Sequence, residues 1–158
     1  MDHDAIREIH QLKHRYARTL DTKKWGEFAQ TMVPEATAIY GEYLRFDSRD
    51  SFVSFLENTF SIHVITQHHC SQPEIDVDGD RATGIWLLAD TTIIPDDGLM
   101  LRGSAYYHDR YVRDDHGRWR ISYTSFERTW ESAVDLKDIP SFRLAFNRWD
   151  QLEPPASA

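Results

Sequence analysis

Two short stretches of this chain carry residue types able to move a proton. The first is Tyr16 with Asp21, at the end of the helical pattern Arg15-Tyr16-Ala17-Arg18-Thr19-Leu20-Asp21. The second is His68-His69-Cys70-Ser71-Gln72-Pro73, which runs on into the acidic stretch Asp76-Val77-Asp78-Gly79-Asp80. A carboxylate and an imidazole that meet in an apolar cavity make a general base that needs no metal. His68 and His69 are neighbours in a strand-like segment, so their side chains point to opposite faces and one at most lines a cavity. That alternation also disfavours a zinc site built on both. Asp21 has a competing role, because aspartate at a helix start is a favoured N-cap worth ~1 kcal/mol.

Further candidates follow from charge on apolar faces. Trp86, Leu88 and Asp90 share one face of an apolar strand, and a carboxylate there costs several kcal/mol unless paired. Either Asp90 sits at the wet end of its strand or it has a partner, and Arg128 can supply one or bind a substrate oxygen. Tyr16 is at helical spacing with Leu12 and Leu20, which suits a core phenol or one that meets a substrate oxygen. Tyr106, Tyr107 and Tyr111 read mostly as sheet packing, with Tyr106 taken as the pocket member. Cys70 shares the strand face of His68 and reads as a wall or core thiol. The acidic run has Gly79 in its fourth place, not the sixth that a calcium loop needs, and so reads as a hairpin turn. The sequence has no phosphate-binding glycine loop and no GxSxG elbow.

The elements that must position these residues show in the periodicity. Residues 4–20 repeat apolar positions every three or four, as an amphipathic helix does. A second helix is expected over 24–32, ended by Pro34, then a strand or ribbon over 36–44. Ser48 is placed to cap a third helix with Phe52, Phe55, Leu56 and Phe60 on one face. After residue 62 the period switches to two. Strands are expected over 64–78, 81–94, 100–113 and 118–130, separated by turn-forming Asp-Gly and Pro-Asp-Asp-Gly clusters. A C-terminal helix is expected over 139–152, and a frayed tail over 153–158. Helices followed by a run of long strands is an α+β pattern. Such a sheet, curved around helices, leaves an open-ended cone.

Composition bounds the partners. The 158 residues suit one domain over 1–152, with 41% apolar and 28% charged residues. A net charge of −8, with 18 Lys and Arg scattered among 26 acids, argues against nucleic acid. No apolar stretch approaches the ~20 residues of a membrane span, and the single cysteine fits a reducing cytoplasm. Aromatic residues make up 13% of the chain and suit either a large core or a pocket walled by rings. One face of the long sheet is expected to join copies as a homodimer or homotrimer.

The order of these motifs resembles the NTF2-like superfamily and, within it, the SnoaL-like group. The resemblance covers roughly residues 4–130. It rests on Tyr16-x4-Asp21, Lys24-Trp25-Gly26-Glu27-Phe28, and His68-x3-Gln72-Pro73-x-Ile75-x-Val77-x-Gly79-Asp80. Further carriers are Gly103-x3-Tyr107-x3-Tyr111-x-Arg113 and Gly117-Arg118-Trp119-Arg120-Ile121. It implies a cone-shaped α+β barrel of the NTF2-like (cystatin-like) kind. Scytalone dehydratase, bile-acid 7α-dehydratase and hexachlorocyclohexane dehydrochlorinase are similar around the site, and all remove a proton from carbon with a His–Asp pair. By this resemblance the catalytic pair falls on His68 and Asp21, Tyr16 matches a site tyrosine, and Asp90 and Arg128 match later site residues. Gln72 departs from the Asn common in His-x3-Asn-Pro. The expectation is a dehydratase-type lyase without metal or cofactor, acting on a small hydrophobic or aromatic molecule. An isomerase with the same pair and a non-catalytic binding module are the alternatives.

Overall fold

The structure, a computed structural model, describes residues 2–152; the tail expected over 153–158 lies outside the described residues. Helix α1 (His3–Asp21) starts at Asp2, whose carboxylate accepts from the Ala5 N–H at 3.0 Å. Ala5, Ile9, Leu12, Tyr16 and Leu20 bury one stripe of it. Lys23 in the left-handed region (φ 55°) turns the chain into α2 (Trp25–Ala29). Strand β1 (Met32–Tyr40) follows, then β2 (Leu44–Phe46) and helix α3 (Arg49–Thr59), capped by Ser48. Four long strands complete the sheet: β3 (Ile65–Asp78), β4 (Arg81–Ile94), β5 (Leu99–Arg113) and β6 (Trp119–Asp135).

The sheet order is β2-β1-β6-β5-β4-β3. Strands β3 to β6 form the expected antiparallel meander, whereas β1 joins β6 in parallel. The fold is therefore α+β, with three helices and a curved, unclosed six-stranded sheet, as in the NTF2-like cone.

The strand expected over 36–44 is two strands, β1 and β2, and β6 runs five residues past the expected 130; the structure differs further from the sequence reading at three places. Helix α2 stops at Ala29 and Pro34 lies inside β1, where the β1–β6 register shifts between Met32 and Thr37; a residue without an N–H fits such an irregularity. No α-helix forms over 139–152. That stretch holds one 3₁₀ turn, Arg148–Gln151, where Asn147 Oδ1 accepts from the Trp149 N–H. Trp149 is its one buried residue, so no apolar stripe exists to fix a helix. Finally, Gln72-Pro73 is a bulge inside β3, with Gln72 at φ 48° and the register shifting between Ser71 and Glu74. The extra residue switches parity. Thr66, His68 and Cys70 face inward before it, Ile75 and Val77 after it.

Candidate active site

Asp21 is the last residue of α1, and its carboxylate crosses to β3. Its Oδ1 lies 2.7 Å from His68 Nδ1 and accepts from Thr66 Oγ1 at 2.8 Å, while Oδ2 accepts the His68 backbone N–H at 2.8 Å. The helix-cap role is not observed: Lys24 is the N-cap position of α2 and no side chain caps it. Because α1 runs through Asp21 and the turn needs three more residues, the carboxylate is turned toward the sheet instead. An ionised carboxylate only accepts, so Nδ1 carries the proton that faces Asp21, and in the neutral ring Nε2 is the nitrogen left with its lone pair. The His68 side chain is 9% exposed and that of Asp21 20%.

His68 lines a cavity of about 250 Å³ on the concave face of the sheet, room for one small ring system. Phe52, Phe60, Phe126 and Tyr40 supply aromatic walls, and Leu88 an aliphatic one. Phe60 meets the His68 ring edge-on at 6.2 Å. Tyr16 and Tyr107 are also lining residues, with ring centroids 6.0 Å apart. Burial pushes both phenols far above their ordinary range, so both stay protonated and can donate. Burial likewise pushes the Cys70 thiol up to about 11, which keeps it a poor nucleophile.

A second polar group lines the same cavity. Arg128 holds Asp90 with two bonds, Nη1–Oδ1 at 2.5 Å and Nη2–Oδ2 at 2.7 Å. Its Nε also approaches Glu131 Oε2 at 3.4 Å. The hydrogen bonds to Asp90 raise the guanidinium further above its ordinary value, against the opposing effect of burial. Gly103 makes this geometry possible. It pairs with Asp90 in the β4–β5 ladder, and a Cβ there would stand 2.6 Å from Arg128 Nη1.

The structure thus brings His68, Asp21, Tyr16, Leu88, Asp90 and Arg128 to one region, and leaves two expected residues out. Trp86 is fully buried beneath α1, where Nε1 donates to the Tyr111 hydroxyl and the ring meets His10 edge-on. It shares the face of Leu88 but is covered by the helix, not by the cavity. Tyr106 is 41% exposed on the outer face; Tyr107, one residue on, takes the inward position. Thr66 is absent from the sequence analysis, and Tyr107 and Gly103 figure there only as sheet packing and as carriers of the resemblance, not as site residues. Thr66 is legible as the inward neighbour two residues before His68, and Gly103 as a glycine inside a strand, which marks a close approach.

A family model described as a SnoaL-like domain matches residues 2–125. The chain belongs to the SnoaL-like domain family. Solved structures similar to it include a putative scytalone dehydratase from Novosphingobium aromaticivorans. The TM-score is 0.75 at 22% identity, covering 81% of this chain and 86% of that one. A hexachlorocyclohexane dehydrochlorinase (LinA Type2) gives a TM-score of 0.75 at 16% identity, covering 83% and 89%. ActVI-ORFA from Streptomyces coelicolor gives 0.69 at 14% identity, covering 80% and 98%. At these identities the likeness establishes a shared fold. No helix among the described residues is long and apolar enough to cross a membrane.

Proposed function

We propose that this SnoaL-like protein is a lyase of the dehydratase type that takes a proton from carbon with His68 and Asp21. The observation that carries the reading is the 2.7 Å contact between His68 Nδ1 and Asp21 Oδ1, beside a cavity walled by aromatic rings. Nε2 is the free base. It accepts the proton as the C–H bond breaks, and Asp21 stabilises the imidazolium that forms. The electron pair of the C–H bond becomes the new C=C bond. A hydroxyl on the adjacent carbon departs as water, with a proton returned by the imidazolium. The cavity walls suit a small, mostly apolar ring, and Asp90 with Arg128 would hold a polar substituent. That similar folds include a putative scytalone dehydratase and a dehydrochlorinase, both eliminating enzymes by name, supports the same class.

Hydroxylated aromatic and alicyclic compounds, incubated with the protein in D₂O, test the reading by mass spectrometry. Deuterium should enter at carbon and water should be lost. His68→Ala and Asp21→Asn should fold normally and slow exchange by roughly 10²–10⁴-fold, the range of general acid–base catalysis. Full exchange in both variants would remove the dyad mechanism. A compound that binds without any exchange or loss of water would mark a binding module instead.

A further inference from the structure

Of the charged groups that the proposed chemistry leaves unused, Lys13 and Asp109 neutralise each other in the core at 2.7 Å. The arginines beside the turn between β5 and β6 are not balanced in that way. Asp114 is the first residue after β5, and both its oxygens are committed. Oδ1 accepts from the backbone N–H groups of His116 and Arg118, at 3.0 and 2.9 Å. Oδ2 accepts from Arg118 Nε at 3.0 Å and from Arg120 Nε at 3.2 Å. One carboxylate thus fixes two guanidinium groups through their Nε–H bonds alone. Their Nη groups have no acceptor among the described residues. The Arg120 and Asp114 side chains are only 14% and 17% exposed, so this arrangement is built into the surface.

Arg118 and Arg120 line a recess of about 280 Å³ against α1, together with Arg15, Gln11, Trp119 and Glu8. Arg15 has no carboxylate partner among the described residues. Glu8, the one acid of the recess, is met by Arg113 Nη1 at 3.6 Å. Three arginines less Asp114 leave two positive charges there, on a chain of net charge −8. Burial lowers the Arg120 pKa, and the charges of Arg118 and Arg15 lower it further. A bound anion relieves that repulsion. Trp119 adds an unmatched donor: it is 3% exposed, and its Nε1 has no hydrogen-bond partner. A buried donor without an acceptor is rare and marks a place where a group from outside the chain can supply one.

We propose that Arg15, Arg118 and Arg120, with the Trp119 indole, form a second ligand site, for the phosphate group of a small phosphate monoester. The two unspent positive charges match a phosphate, which carries about −1.5 to −2 at pH 7. A phosphate monoester also has three terminal oxygens, one for each guanidinium fork, where a carboxylate has two. The site lies apart from the cavity: Arg120 precedes Arg128 on β6 by roughly 26 Å of strand. A free monoester is favoured over a phospholipid headgroup, because an anionic membrane surface repels a chain of net charge −8.

Isothermal titration calorimetry with inorganic phosphate and with phenyl phosphate, at fixed ionic strength, tests the site. Both should bind the parent protein. The double variant Arg15→Gln with Arg118→Gln should weaken both by at least about tenfold, as the loss of hydrogen bonds to a charged group does. Arg49→Gln alters the recess on the other side of Arg118 and Arg120 and should bind as the parent does. In proton–nitrogen NMR spectra the chain's five tryptophans each give an indole N–H signal. The signal missing from Trp119→Phe should be the one that moves most when phosphate is added to the parent. Urea unfolding checks that each variant is folded. Arg15 is exposed, so Arg15→Gln carries the test alone should the double variant not fold. Arginines that only staple the turn would lower the urea midpoint of Arg118→Gln and give no phosphate binding in the parent. No binding by the parent, unchanged affinity in the folded Arg15 variants, or affinity lost only in Arg49→Gln or only in Arg128→Gln would each overturn the inference. So would binding to vesicles containing phosphatidic acid without binding of either free phosphate.

Discussion

The His68–Asp21 pair is fixed by more than its own hydrogen bond. Asp21 accepts from the His68 ring, the His68 backbone and Thr66 at 2.7–2.8 Å, so both carboxylate oxygens are committed and the carboxylate plane is set. A carboxylate held this way imposes one tautomer on its imidazole, and the tautomer is what leaves Nε2 basic. Nitrogen NMR of the folded protein should show the His68 proton on Nδ1. In Asp21→Asn the amide can also donate, and the opposite tautomer should appear. Thr66→Val keeps the shape and deletes one donor to a charged group, a bond worth about 1.5–3 kcal/mol. Exchange at carbon should slow on the order of tenfold, with the Nδ1–H tautomer kept. An unchanged rate in Thr66→Val would show that the two remaining bonds suffice. These roles were only partly legible in the sequence. The type and order of Asp21 and His68 pointed to a pair, but the cap alternative for Asp21 depended on whether the helix ended before or after it, and periodicity does not resolve one residue.

At the scale of elements, strand parity decided which residues reach the cavity. The turn clusters placed the meander to within a residue or two at most strand starts, because Asp-Gly and Pro-Asp-Asp-Gly sequences fit few other conformations. Parity within a strand was harder. Tyr106 and Tyr107 are chemically alike and adjacent, and β5 alternates without a break from Gly103 to Tyr111, the extra residue of the β5–β6 bulge being Thr129 of β6; a one-residue error of parity therefore exchanges the two. Trp86 had the right parity and still missed the cavity, because what covers a strand face is set by the helix packed on it. Gly103 shows the reverse case, a residue whose value is the side chain it lacks. Gly103→Ala would drive a methyl group to 2.6 Å from Arg128 Nη1 and 2.9 Å from the Trp130 carbonyl oxygen. The carbonyl belongs to the paired strand and cannot move aside cheaply. We expect a loss of about 1–3 kcal/mol in urea unfolding, as for other overpacked sites, and a displaced Arg128 in a crystal structure of the variant. Retention of both stability and the Asp90–Arg128 geometry would show that β6 yields easily there.

Across the whole molecule, what the sequence could not reveal is what the fold brings together from far apart. Lys13 and Asp109 are 96 residues apart, Asp21 and His68 47, and only tertiary packing gives either pair a meaning. The same packing buries phenols, with a consequence for stability at high pH. Of the seven tyrosines, burial raises Tyr16, Tyr40, Tyr107 and Tyr111 above the ordinary value of 10.0. Above pH about 10 the unfolded chain therefore gives up protons that the folded chain retains, and the linkage sign is negative. Their contribution is complete below pH 10 and is lost as pH rises, by at most about 1.4 kcal/mol per phenol per pH unit. Cys70, raised by burial from 9.0 to about 11, adds a smaller loss between those values. Lys23 acts in the opposite sense. Burial lowers it from 10.5 to about 8, against the pull of Asp21. The unfolded chain therefore holds the extra proton between pH 8 and 10.5, and stability from this group rises there. Urea midpoints measured from pH 7 to 11.5 should thus rise slightly between pH 8 and 9, stay nearly level to about pH 10 as the Lys23 and Cys70 effects oppose one another, then fall with increasing slope. Phenolate absorbance from the three buried rings, Tyr16, Tyr107 and Tyr111, should appear only together with loss of the near-UV circular dichroism signal. A titration in which all seven phenols ionise while the fold persists would contradict the sealed packing of the cavity floor.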